Sequence, residues 1–91
     1  MKKIEIKTIN FNKISKVWEE LDEEDGFPHK ILNSSIEELK GWVQFIGTKL
    51  PIGIILDATF VAEIEEGSYV RFIFNTQDRI IKGSCFTCSH P

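Results

Sequence analysis

The residues most suited to chemistry lie at the C-terminal end, in Cys85-Phe86-Thr87-Cys88-Ser89-His90. A Cys-x-x-Cys turn can present two thiolates to one tetrahedral zinc at about 2.3 Å each. His90 is placed to be a third ligand, and His29, the other histidine of the chain, completes a two-cysteine, two-histidine set. That reading gives a small structural zinc protein. A zinc module usually shows two paired ligand motifs, and here one stands alone. A redox dithiol needs its motif at a helix N-terminus, where the dipole lowers the thiol pKa. This motif instead follows a strand pattern in which Cys85 shares the core-facing register with Ile81 and Gly83, so a buried, reduced Cys85 competes with the metal reading. Cys88 beside His90 has the residue types of an activated nucleophile, without an oxyanion hole or a third member.

The second feature is electrostatic. Glu19, Glu20, Asp22, Glu23, Glu24 and Asp25 place six acids in seven positions. The net charge of −3 conceals +4 over residues 1–18, −9 over 19–66 and +2 over 67–91. Such a patch speeds association with a basic surface and can imitate the phosphates of a nucleic acid. It argues against direct nucleic-acid binding, since the linear sequence shows no basic stripe interleaved with aromatics. The aspartates lack the Asp-x-Asp-x-Asp-Gly spacing of a calcium loop. Asp57 has no acid, base or nucleophile at a fixed spacing and reads as structural. Gly-rich phosphate loops, His-Glu-x-x-His and nucleophile elbows are all missing.

These residues must be positioned by a small scaffold. Ninety-one residues suit one domain spanning 1–91, and the 42% apolar and 27% charged fractions are those of an ordinary globular chain. Two cysteines are too few for a disulfide framework. No apolar run approaches the roughly 18 residues of a membrane span. Glu5 and Lys7 interrupt any signal segment behind Lys2 and Lys3. The expectation is a cytoplasmic protein without membrane association.

Alternation over Lys3 to Ile9 predicts a first strand. Ile14, Val17, Trp18 and Leu21 fall at i, i+3, i+4 and i+7, which predicts a first helix with Asn12 as its N-cap and Gly26 and Pro28 at its stop. In that helix the acids sit at the C-terminal end and Lys13 and Lys16 at the start, both against the macrodipole. A second helix starts at Ser35, whose spacing to Glu38 is that of a capping box, and Gly47 ends it. Gly41 inside this helix costs about 1 kcal/mol relative to Ala, which a close backbone contact would explain. From Ile54 to Ile64 the even positions are apolar. Glu65-Glu66-Gly67 then fits a hairpin loop that sets Phe60 opposite Phe72 and Ala62 opposite Val70. Tyr69 to Phe74 is the next strand, Asn75 to Asp78 a turn, and Arg79 to about Phe86 the last strand.

The predicted fold is therefore α+β in the order β-α-α-β-β-β: an antiparallel three-stranded meander plus an N-terminal strand, with two helices on one face. The opposite face mixes Ile55, Val61, Ile73 and Ile80 with charged residues, and offers a surface for a homodimer. The opening strand, the helix after it and the second helix with Gly41-Trp42-Val43 resemble the first half of barstar-type ribonuclease inhibitors, as do the length and acidity. The meander from Ile52 to Thr87 departs from that family, and its Tyr-Tyr-Gly-Asn signature is missing between Pro28 and Asn33. The functional expectation is a small acidic, non-catalytic protein-binding module of inhibitor, immunity or counter-defence type. Its acidic residues would meet a basic, nucleic-acid-handling partner; the alternative is the zinc protein.

Overall fold

The computed structural model describes residues 2–21 and 30–89. Its strands are β1 (Lys3–Ile4), β2 (Lys16–Leu21), β3 (Lys30–Ser34), β4 (Ala58–Glu65), β5 (Ser68–Gln77) and β6 (Ile80–Cys88), with one helix, α1 (Ile36–Phe45), among the described residues. They form a single antiparallel sheet in the order β1-β6-β5-β4-β2-β3. The α+β class stands, with six strands and one helix in place of four strands and two.

The largest departure is at residues 14–21. The predicted first helix is the strand β2, paired with β3 on one side and β4 on the other. Val17 and Trp18 explain the change. In a helix they would share one stripe; in β2 they alternate, Val17 entering the core at 5% exposure and Trp18 pointing to the other face. β-Branched and aromatic residues suit a strand paired on both sides. The helix would also have opposed its own dipole at both ends, a local conflict that counts against a fold. The likeness to barstar-type inhibitors thereby loses one of the elements that carried it, the helix after the opening strand.

β1 is shorter than predicted and lies at the sheet edge beside β6. After it come two single turns of 3-10 helix, at Ile6–Thr8 and Phe11–Lys13. Their Ile6 and Phe11, with Ile4, Ile9 and Ile14, pack on the core. β4 begins at Ala58 rather than Ile54. Ile55 lies outside the ladder at 73% exposure, and the segment is held by the Leu56 amide donating to Thr76 Oγ1 at 3.0 Å. Residues 75–77 continue β5, and the turn falls on Asp78 and Arg79, which have φ of 52° and 65°. Two left-handed residues make the hairpin turn whose twist matches its strands. The other hairpin has Gly67 at φ 79°, as its sequence predicts, with Phe60 opposite Phe72 and Ala62 opposite Val70.

α1 is capped as expected, the Glu38 amide donating to Ser35 Oγ at 3.3 Å. It buries Leu39 completely against a core of Phe60, Phe72, Phe74, Val70, Ala62 and Cys85. Trp42 closes this layer with its ring 5.5 Å from that of Phe74. A Cβ at Gly41 would meet nothing within 4 Å, so no close contact accounts for that glycine. Gly83 is the crowded one: a Cβ there would lie 2.6 Å from Ile46 Cδ1. α1 and the 3-10 segments all cover the Phe60–Phe72 side, leaving the other side of the sheet open among the described residues. No described helix is long and apolar enough to cross a membrane.

Candidate functional site

β2 carries two acids of the expected patch, and the pleat separates them. Glu19 is in register with Phe60 on the helix-covered side, and Glu20 with Thr59 on the open side. Glu20 is also committed: its Oε1 accepts from Arg71 Nε at 3.0 Å and from Arg71 Nη2 at 2.9 Å. The two side chains are 13% and 26% exposed. Charge-assisted bonds in such a half-buried setting are stronger than exposed ion pairs. Asp22, Glu23, Glu24 and Asp25 lie outside the described residues.

A cavity of about 270 Å³ opens where β2 ends and β4 begins, lined by Glu19, Glu20, Leu21, Asp57, Ala58 and Thr59. Three carboxylate residues thus border one hollow; Glu20 is already paired with Arg71, so Glu19 and Asp57 carry its uncompensated charge. Asp57 was not part of the acidic set read from the sequence, because the approach of β2 to β4 is long-range. The elements that meet here also carry exposed aliphatics: Leu21 on β2, Ile31 and Leu32 on β3 opposite Glu20 and Glu19, and Ile54, Ile55 and Leu56 on the segment leading into β4. Exposed apolar clusters of this kind mark interaction surfaces.

The cysteines sit on different registers. Cys85 pairs with Phe72 and is fully buried, whereas Cys88 pairs with Tyr69, a position of the open face, and is partly exposed. Burial, and secondarily the nearby Cys88, push the Cys85 thiol up to about 11, which keeps it protonated at neutral pH. Zinc ligation calls for a thiolate. No group of three or more His, Cys, Asp or Glu is placed to hold a metal ion among the described residues, and His29 and His90 lie outside them.

The open face has its own order. Asn33, Trp18, Val61, Arg71, Phe86 and Lys3 are successive register partners and form one row across all six strands. Val61 is fully buried although no element among the described residues covers it. Trp18 and Arg71 flank it, and the Arg71–Glu20 pair spans β4 beside it. In the next row the Tyr69 ring lies 6.0 Å from that of Trp18. The Tyr69 hydroxyl is held above its ordinary pKa by desolvation, then by its hydrogen bond to Glu63 and the charges of Glu63 and Cys88. Glu63 Oε1 also accepts from Ser15 Oγ at 3.0 Å, anchoring the entry to β2. This Ser-Glu-Tyr group holds the chain in place; a carboxylate with no imidazole beside it is a weak activator of a hydroxyl.

Of the four residues expected to form a dimer surface, only Ile73 and Ile80 are half-exposed on the open face. Val61 is buried beneath its own neighbours, and Ile55 is outside the sheet. The aromatic row is hidden in the sequence because Trp18 also fits a helical stripe with Ile14, Val17 and Leu21. The alternation of Lys16-Val17-Trp18-Glu19 was the available signal. No family model, curated protein or solved structure matches the chain.

Proposed function

We propose that this protein is a non-catalytic protein-binding module that docks a basic partner at the end of the sheet where β2 meets β4. The observation carrying this reading is the cavity bordered by Glu19, Glu20 and Asp57 and ringed by exposed aliphatics. A lysine or arginine from the partner enters the hollow while its apolar neighbours cover Ile31, Leu32, Ile54 and Leu56. Interfaces gain most from such a desolvated anchor within an apolar ring, and the surrounding charge mainly steers the encounter. An inhibitor or immunity protein directed at a nucleic-acid-handling enzyme fits this chemistry, because such enzymes present basic surfaces.

The test compares capture by the wild-type chain with capture by Glu19→Lys/Asp57→Lys and by Lys40→Glu, an exchange on the helix. The expected result is a partner retained by the wild type and Lys40→Glu, released at high salt, and lost from the double variant. Equal retention by all three refutes the site.

A further inference from the structure

We infer that the open face of the sheet is a second binding surface, and that its occupant is a single-stranded nucleic acid. The surface adjoins the acidic cavity at Glu20 and Thr59, but its test alters Phe86, Lys3 and Lys82 and not the Glu19 and Asp57 of that cavity, so either reading can fail without the other. Three aromatics stand on this face: Trp18 on β2, Tyr69 on β5 and Phe86 on β6. Trp18 and Phe86 lie in the same cross-sheet row, three strand spacings or roughly 14 Å apart. Tyr69 stands beside that row, against Trp18. Flat rings on neighbouring strands, each partly exposed, form the kind of platform on which unpaired bases stack whatever their sequence.

Charge selects the occupant, against the expectation from the sequence that the chain binds no nucleic acid, because the sheet gathers onto one face cations and aromatics that are scattered along the chain. The chain has a net charge of −3, yet Lys3, Lys16, Arg71 and Lys82 share this face with Glu20 and Glu63. Arg71 neutralises Glu20, which leaves three lysines against one carboxylate. Lys3, Lys16 and Lys82 are exposed and make no salt bridge among the described residues. Lys3 ends the aromatic row beside Phe86, Lys82 stands four residues along β6 from Phe86, and Lys16 lies two residues from Trp18 on β2, opposite Glu63, so the cations flank the row on the β6 and β2 sides. A strand laid across the sheet would stack bases on Trp18, Tyr69 and Phe86 while its phosphates meet the lysines. The same surplus of cations opposes the face-to-face packing of two copies. A duplex, with its bases already stacked, gains only the phosphate contacts.

The test is fluorescence anisotropy with labelled oligo-dT and oligo-rU of about 15 nucleotides and a duplex of equal length, at roughly 50 mM salt. The expected result is tighter binding of one or both single strands than of the duplex, by about tenfold or more. The oligo-dT and oligo-rU arms decide between DNA and RNA. Phe86→Ala weakens it by about fivefold or more, the scale of one lost stacking contact. Lys3→Glu/Lys82→Glu, which alters only exposed side chains and leaves the fold intact by circular dichroism, also weakens binding. It flattens a logarithmic salt slope that should be about −2 for three lysines. Lys40→Glu makes a charge reversal on the helix side and leaves binding within about twofold of wild type. No anisotropy change up to roughly 100 µM protein overturns the proposal. So does equal affinity for the duplex, or a loss in Lys40→Glu matching that of the face variant.

Discussion

Cys85 offers a direct measurement of whether the register of β6 is right. Its thiol is fully buried opposite Phe72, and its pKa rises from 9.0 to about 11, by burial first and by Cys88 second. The folded chain therefore holds this proton through a pH range in which the unfolded chain releases it. Stability contributed by the neutral thiol is complete below the unfolded pKa and is lost as pH rises from about 9 toward 11. Two pKa units correspond to roughly 2–3 kcal/mol in total, of which about 1.4 kcal/mol is gone by pH 10. Against a total stability of about 5–10 kcal/mol for a chain of this size, that is a large fraction. The assay is urea unfolding from pH 7 to 10.5 in reductant, for wild type and Cys85→Ala. The variant leaves a small cavity costing about 1 kcal/mol at neutral pH, but it has no proton to lose. The stability gap between the two closes as pH rises and reverses near pH 10, where about 1.4 kcal/mol of wild-type stability is gone. Tyr69 also titrates high, but it is present in both proteins and cancels in the difference. In Cys88→Ser the slope persists and is slightly shallower, because burial is the larger cause. Parallel curves for wild type and Cys85→Ala would refute the burial of this thiol.

Two further outcomes concern the backbone. Gly41→Ala places a methyl in open space inside α1 and raises stability by about 1 kcal/mol, read as a higher urea midpoint at unchanged m-value. A loss of stability would mean that α1 packs more closely on the sheet than its Leu39 and Trp42 contacts require. Arg79→Gly relieves a left-handed non-glycine residue in the β5–β6 turn, where φ is 65°, and raises the melting temperature by an amount equivalent to about 1 kcal/mol. No gain would indicate that the Arg79 side chain returns as much as its backbone costs.

Where sequence and structure agree, the information is local. Phe60, Ala62, Val70 and Phe72 alternate over a two-residue period, and a glycine at a left-handed turn fixes their register. Ser35 and Glu38 define the start of α1 through a contact three residues apart. Where they disagree, two patterns competed. Ile14, Val17, Trp18 and Leu21 satisfy a helical stripe, while Lys16 to Glu19 alternate as a strand. The charges that would oppose the dipole of such a helix at both ends are the signal that favours the strand. Most of the acidic run lies in residues 22–25, outside the described structure, so the expected patch is represented by Glu19 and Glu20 on opposite faces.

The amino-acid sequence by itself determined the hairpin from β4 to β5, the capped helix after Ser35, the apolar side of the sheet and the uneven charge along the chain. Each follows from contacts between residues close in the chain or from composition. Only the tertiary structure decided that β2 and β3 join the far edge beside β4, and that consequence reaches every candidate site. It brings Asp57 to Glu19, joins Arg71 to Glu20 across β4, and aligns Trp18 with Phe86 in one row. Strand pairing between residues 39–47 positions apart leaves no periodicity in the sequence that could announce it. The cysteines show the same division. Their spacing is visible in the chain, but the pleat of β6 decides that one thiol enters the core while the other meets the open face.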